Sequence, residues 1–392
     1  MKVTSTVDRL RREGVTVIDF GAGEPDFSTP AAVGAAGHAA IEQDFTKYTP
    51  VGGTMELKRA VCDRYRADYG VTYDPSEVIV TAGGKQALFN TALALFGPGD
   101  EVLIHTPGWP TLVEQVKLAD ATPVLIDLIG EPAFAITARP FLNAITDRTR
   151  GIIINSPCNP TGALISEAEL TILAKAAAIR GLWIVIDLCY EKLIFDPVPH
   201  NLPAVLATHC PGLGVICGSA SKAYAMTGWR LGWTIAPPAV VAAESAVQSH
   251  ATSNASSISQ RAALEALTGS QGSVVTMLDE YRRRRDASHG WLTQGLPYGA
   301  VLPAGAFYLV VDVRAMLSPD GLPTSNDFAQ ALLDDCRVAV TPGEAFWAPG
   351  FVRISFATSM EILREGSQRM AEFARTRLKA LGRSGAGARS GN

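Results

Sequence analysis

The amino-acid sequence predicts an α/β protein: a mostly parallel sheet flanked by helices, with a smaller α+β domain after it. Three observations carry this. Short apolar runs alternate with helix-patterned segments from residue 78 onward, the runs are continuously apolar, and the pattern changes near residue 270. Strand–helix alternation favours parallel pairing, and unbroken apolarity requires both faces of the sheet to be covered.

The first strand is VIVTAGG (78–84), followed by EVLIHTP (101–107), TPVLIDL (122–128), GIIINSP (151–157), LWIVIDL (182–188), GVICGSAS (214–221) and LGWTIAP (231–237). Each is short, rich in β-branched residues and bounded by turn formers. Between them KQALFNTALALF, TLVEQVKLA, SEAELTILAKAAAIRG and an Ala-rich stretch at 239–268 read as helices. Beyond residue 270, DEYRRRRDASHGWL (279–292) reads as a long exposed helix, with Arg282–Arg285 as its solvated face. FYLVVDV (307–313), RVAVTPG (337–343) and FVRISFA (351–357) read as short strands, with helices at 325–335 and 360–381. The Gly- and Ser-rich end, 381–392, reads as a disordered tail.

Composition bounds the function. A chain of 392 residues with 47% hydrophobic and 18% charged residues can bury sizeable cores. The net charge of −4 supplies no basic footprint for nucleic acid or an anionic membrane. No apolar run approaches the roughly 18 residues of a membrane-spanning helix. MKVTSTVDRLRREGV is charged where a secretory signal would be apolar. The six cysteines lack CxxC spacing, so a reducing, cytoplasmic setting is expected.

Several motifs are excluded by their own chemistry. GAGEPD (21–26) lacks the third glycine and the following helix of a dinucleotide fingerprint. TAGGKQ (81–86) lacks the earlier glycine of a P-loop and carries Gln86 where a hydroxyl would hold Mg²⁺. It remains a glycine turn between a strand and a helix, where free N–H groups and the helix dipole attract an anion. The six histidines show no metal-ligand pairing, and no G-x-S-x-G occurs.

Strand ends hold the informative residues. Lys222 ends an apolar strand among the hydroxyls of Ser219 and Ser221, with Arg230 eight residues on. Desolvation lowers a lysine pKa, and a neutral amine attacks aldehydes, whereas a snorkelling lysine is the structural alternative. Arg230 and the two hydroxyls suit a phosphate. Asp187 ends LWIVID and Tyr190 follows; the acid either caps a helix or keeps a pyridine nitrogen protonated. Asn159 lies in Asn-Pro-Thr-Gly, and Trp109 either joins the core or stacks on an aromatic ligand.

Taken in order, GAGEPDFSTP, KYTPVGG, TAGGKQALFN, PGDEVLIHTPGW, NPTG, D-x-x-Y, S-x-SK-x-x-x-MTGWR-x-GW, GAFY and FVRISFATS resemble the class I/II aminotransferases. These are pyridoxal-phosphate enzymes of the aspartate aminotransferase-like type I fold, and the resemblance spans residues 10 to 380. It implies an N-terminal segment (1–30) joining the small domain, a large cofactor-binding domain (31–275) and a C-terminal small domain (276–380). It further implies that Lys222 forms a Schiff base with pyridoxal 5'-phosphate and shuttles the substrate proton. Asp187 would pair with the pyridine nitrogen, Tyr190 and Asn159 with the phenolic oxygen, and Trp109 would stack on the ring. Ser219, Ser221, Arg230, Gly84 and Lys85 would cradle the phosphate, with Tyr48 reaching in from a neighbouring subunit of a homodimer that shares its active sites. Arg353 would grip the substrate α-carboxylate, helped by Asn159 and the Gly23 backbone.

The implied activity moves an amino group between an L-amino acid and a 2-oxo acid. The same groups also support elimination, replacement, cyclisation or carbon–carbon bond formation. A regulator's effector-binding domain is disfavoured, because no catalytic residue is lost and no room for a DNA-binding module is expected before residue 10. Cys158, Leu188-Cys189 and Gly108 depart from the family's usual residues, and the N-terminus is expected to be shorter than in many relatives. No Lys or Arg occurs between Arg230 and Arg261, which argues against a distal carboxylate on the donor unless another segment supplies the cation.

Overall fold

The computed structural model describes residues 2–294 and 298–382, so the proposed disordered tail lies, from residue 383 on, outside the described residues. Near the start, β1 (Ile18–Asp19) follows the helix Lys2–Arg12. A seven-stranded sheet then forms from β2 (Val78–Thr81), β3 (Glu101–Thr106), β4 (Thr122–Asp127), β5 (Thr149–Asn155), β6 (Trp183–Asp187), β7 (Gly214–Ser219) and β8 (Gly232–Ile235). Its spatial order is β2-β8-β7-β6-β5-β3-β4. Only β8 runs against its neighbours, pairing antiparallel with both β2 and β7.

Consecutive residues of one strand enter opposite cores, which is why the strands are apolar at every position. Ile152, Ile154, Ile184 and Ile186 pack under the helices Met55–Tyr69 and Glu167–Arg180. Ile153 and Val185 face the helices Gly84–Leu95, Pro110–Leu118 and Pro238–Ala251. The expectation of two covered faces fails at β4. It pairs only with β3, and Leu125 on it is exposed, as an edge position allows.

The smaller sheet contains β9 (Gly299–Ala300), β10 (Tyr308–Asp312), β12 (Thr341–Pro342) and β13 (Phe351–Ser355), all antiparallel. The segment read as one strand, RVAVTPG, divides. Its first part, β11 (Val338–Ala339), pairs with β1, and only its second part joins β13. The N-terminal segment is thereby fastened to the smaller unit. Ile18 and Phe20 share a core with Leu309, Val352 and Ile354 and with the helices Ser325–Cys336 and Met360–Ala380.

The reading of Arg282–Arg285 as a solvated face is corrected by the structure. Arg284 and Arg285 are buried on the helix Gly272–Thr293. At about 100° per residue, four consecutive side chains cannot share one face. Arg284 donates to both carboxylate oxygens of Asp26, at 2.8 and 2.9 Å, and to Glu280. Arg285 donates to Asp196, Asp286 and the Pro303 carbonyl. Arg283 alone of the four is exposed.

The topology brings the carboxyl ends of β2, β3, β5, β6 and β7 to one edge of the large sheet, where α/β proteins bind ligands. The reversed β8 places its first residue there too, with Gly232 opposite both Thr81 and Ser219. A methyl group on Gly232 would meet backbone atoms of Gly83, Gly84 and Gly218 inside 3.0 Å, and none of these can turn aside. Gly232→Ala is therefore expected to destabilise the fold by about 2 kcal/mol, the usual scale of overpacking, read from denaturant unfolding. Gly34→Ala, which meets nothing within 4 Å, serves as the control.

Candidate active site

A cavity of about 330 Å³ opens at that carboxyl edge, between the large sheet and the β10–β13 ladder. Its lining includes Gly23, Gly84, Lys85, Trp109, Asn159, Asp187, Tyr190, Ser219, Ser221, Lys222, Arg230 and Arg353. These residues span 330 positions of sequence; most close a strand or follow one, while Arg230 precedes β8 and Arg353 projects from within β13.

One end of the cavity suits an anion. β2 ends in a turn whose Gly83 has φ of +87°, and the twelve-residue helix Gly84–Leu95 begins immediately. The Arg230 guanidinium lies against Gly83 so closely that a Cβ there would strike it. Arg230 donates to the carbonyls of Thr227 and Ala82, at 3.0 and 3.4 Å. Ser219 Oγ accepts from the Ser221 N–H, and its Cβ packs on Gly84. A helix N-terminus, a guanidinium and two hydroxyls thus converge without an acid among them, which is the donor set of a phosphate site.

The middle of the cavity holds an amine and a carboxyl group. Lys222, in the short helix after β7, donates from Nζ to the Gly23 carbonyl and lies 5.9 Å from the Phe307 ring centre. Burial lowers its pKa; Cys189 and Glu24 oppose that shift, while Arg230 and Arg353 add to it. Asp187 is 3% exposed, and among the described residues no cationic side chain is bonded to it. Its Oδ1 accepts from the Cys189 N–H at 2.9 Å, and its Oδ2 accepts from Asn155 Nδ2 at 3.1 Å. Desolvation pushes its pKa up to about 7, against the opposing hydrogen bond from Cys189. Asn155 sits opposite Asp187 in the β5–β6 ladder, and its Oδ1 accepts from the Asn159 N–H. One amide therefore sets both the carboxyl group and the Asn-Pro-Thr-Gly turn. Trp109 borders the cavity with Lys85 Nζ 5.0 Å from its ring centre.

At the far end, Arg353 projects from β13. Nη1 donates to Asn159 Oδ1 at 2.9 Å, and Nη2 donates to the Gly21 carbonyl at 2.8 Å and to Thr341. The guanidinium lies between the rings of Tyr308 and Phe346, 4.3 and 4.9 Å from their centres. Its Nε is buried with no hydrogen-bond partner among the described residues. Residues 21–26 form a strap over this end. They are held by Arg353 at Gly21, Lys222 at Gly23, Thr227 at Glu24 and Arg284 at Asp26.

Tyr48 is 90% exposed and does not line the cavity of its own chain. Lys85 lines it, but its ammonium rests on Trp109 and has no acidic partner among the described residues. The unusual Cys158 lies in the large core, its thiol directed at the Pro107 carbonyl, whereas Cys189 borders the cavity. A Cβ on Gly108 would press on the His105 carbonyl, so this turn excludes larger residues. Asn155 and Tyr308 were missed from the sequence. Asn155 carries the same signal as Asp187, a polar residue ending an apolar strand, and Tyr308 ends the GAFY motif.

The sequence matches the family model for aminotransferase class I and II over residues 15–370. An aspartate/prephenate aminotransferase of Cereibacter sphaeroides is 41% identical over 377 residues, covering 95% of this chain and 94% of that one. An aspartate aminotransferase of Bacillus sp. is 38% identical over 95% of each chain. Among solved structures, the aspartate aminotransferase of Rhizobium meliloti superposes with a TM-score of 0.91 at 39% identity, covering 96% of this chain and 95% of that one. The Thermus thermophilus enzyme with maleate gives 0.89 at 39% identity over 95% of each chain. Strand-end residues, fold and full-length similarity agree: the chain belongs to the class I and II aminotransferases, a family of pyridoxal-phosphate-dependent transferases.

Proposed function

We propose that this protein moves an amino group between an acidic L-amino acid and a 2-oxo acid, with pyridoxal phosphate bound at the cavity through Lys222. The observation that carries this reading is the unpaired Asp187 carboxyl group, buried between the Arg230 anion site and the Arg353 guanidinium. Pyridoxal phosphate has the complementary parts: a phosphate, a basic ring nitrogen and an aldehyde. When bound, it supplies an electron-poor ring that accepts the electron pair left as a proton departs from the substrate Cα.

The chain's own groups account for the remaining chemistry. Gly84, Ser219, Ser221 and Arg230 would hold the phosphate, and Asp187 would keep the ring nitrogen protonated once a cation offsets its desolvation. Trp109 offers a flat apolar face, and Tyr190 and Asn159 offer polar groups for the ring oxygen. Arg353, already oriented by Asn159, Gly21 and two aromatic rings, would take the α-carboxylate. Grip at both ends fixes the direction of the Cα–H bond. Lys222, its pKa lowered by burial, takes the proton from Cα and delivers it again.

For the donor, support comes from relatives whose names include aspartate and from Lys85, a cation at the cavity without an acidic partner. It supplies from another segment the charge that 231–260 lacks. The exposed Tyr48 supports a homodimer in which it completes the partner's site. The six cysteines, none in a disulfide, support a cytoplasmic setting.

Three outcomes test this. Lys222→Ala should abolish transamination, read as release of the 2-oxo acid from the amino acid; retained turnover would end the assignment. Lys85→Ala should lower kcat/KM for aspartate about ten-fold while sparing alanine, the scale of one charged hydrogen bond. Asp187 has a folded pKa raised above its unfolded value, so its contribution to stability is present at low pH and lost as pH rises from about 4 to about 7. In denaturant unfolding of the cofactor-free protein, wild type should therefore gain on Asp187→Asn as pH falls across that window.

A further inference from the structure

We infer that Tyr308 is a positioning residue that braces both ends of the substrate site, its ring supporting Arg353 and its hydroxyl donating to Tyr190. The inference rests on the proposed site, in which Tyr190 faces the cofactor's ring oxygen, and it adds a residue that the sequence reading did not assign.

Register sets the first contact. In the antiparallel β10–β13 ladder Tyr308 lies opposite Ser355 and Val310 lies opposite Arg353. Tyr308 and Arg353 are therefore diagonal neighbours on one face, at a separation that long side chains bridge. The Arg353 guanidinium carbon stands 4.3 Å from the Tyr308 ring centre, in cation–π contact. That contact and the Phe346 ring, 4.9 Å from the guanidinium carbon, hold the guanidinium between two aromatic faces.

The second contact is the hydroxyl pair. Tyr308 Oη lies 2.9 Å from Tyr190 Oη; Tyr308 is 1% exposed and Tyr190 5%. Each phenol has a single proton, so only one can donate across the pair. Tyr308 has no other hydrogen-bond partner among the described residues, and both phenols line the cavity. If Tyr190 donated to Tyr308, its proton would be spent inside the protein. With Tyr308 as donor, Tyr190 keeps its proton for a ligand, and the chain of two bonds strengthens that donation. The cation over the Tyr308 ring favours the same direction, since it makes that phenol the better donor.

The charged and titratable groups acting on the pair are Arg353 on β13 and Cys189 after β6, and Lys222, Asp187 and Arg230 line the same cavity. All are common to wild type and to a Tyr308→Phe variant, so a change in titration between the two reports the hydroxyl.

The test loads wild type, Tyr308→Phe, Tyr190→Phe and the double variant with pyridoxal phosphate and follows the visible spectrum against pH. A phenol donating to the ring oxygen favours the chromophore form that has lost its proton. Tyr308→Phe should therefore raise the apparent pKa, by about two-fold in the dissociation constant, as loss of one cooperative bond implies. Tyr190→Phe should raise it further, and the double variant should match Tyr190→Phe alone. An unchanged or lowered pKa in Tyr308→Phe, or additive effects in the double variant, overturns the inference. A second arm measures succinate binding to the loaded protein by calorimetry. Tyr308→Phe keeps the ring and should bind within about two-fold of wild type, whereas Tyr308→Leu should bind about five-fold more weakly. Equal losses in both variants would overturn the ring's role, and should the Leu variant not fold, the Phe arm decides by itself. Failure of the underlying site is separately visible, as a wild-type protein with no absorbance band or a band that survives Lys222→Ala.

Discussion

The desolvated carboxyl group of Asp187 is the constraint on which the site depends. An acid buried to this degree without a cation resists ionisation, and its two hydrogen bonds, from the Cys189 N–H and Asn155, only partly offset the cost. Burial raises its pKa to about 7, and a basic ring nitrogen bound beside it would offset that desolvation as an ion pair. Much of the surrounding structure keeps that carboxyl group in place: it lies at the end of a central strand, tied sideways to Asn155 and through Asn155 to the Asn159 turn.

The other charges divide their work by exposure. Arg230 is exposed to the cavity and leans on backbone carbonyls, so a phosphate can claim it without breaking an ion pair. Arg353 is buried and over-determined by Asn159, Gly21 and two rings, which makes it a rigid fork with one idle donor. Lys222 lies between them, its ammonium form disfavoured by burial and by both guanidinium groups. The strap at residues 21–26 touches all these elements. Its anchor in the second unit is the pair between the buried Arg284 and Asp26, so the unit that carries Arg353 also holds the cover over Lys222.

Much of this was legible in the chain because the central strands are buried on both faces and several functional residues, Asp187 and Ser219 among them, end a strand. Apolar runs locate β5, β6 and β7, and the first polar residue after each marks the ligand edge, which is how Asp187 and Ser219 are found. Asn155 satisfies the same rule but was passed over for the nearby Asn159. The helices Ala31–Glu42 and Met55–Tyr69 were also passed over. The first is built from small residues without a periodic stripe, whereas the second had a readable Thr54 cap and a left-handed Gly70 at its end. The four-arginine run misled because a long arginine can bury its stem while its guanidinium reaches acids that remain near the surface.

The sequence by itself determined the layered α/β architecture, the family and the identity of the residues at strand ends, because these follow from local periodicity and from motifs read along the chain. Tertiary structure alone decided the rest: that Tyr308 meets Tyr190 across 118 positions, that Arg284 reaches Asp26 across 258, and that RVAVTPG serves two sheets. Such pairings depend on the register of strands distant in sequence, and register is set by packing the whole core, not by any local run of residues.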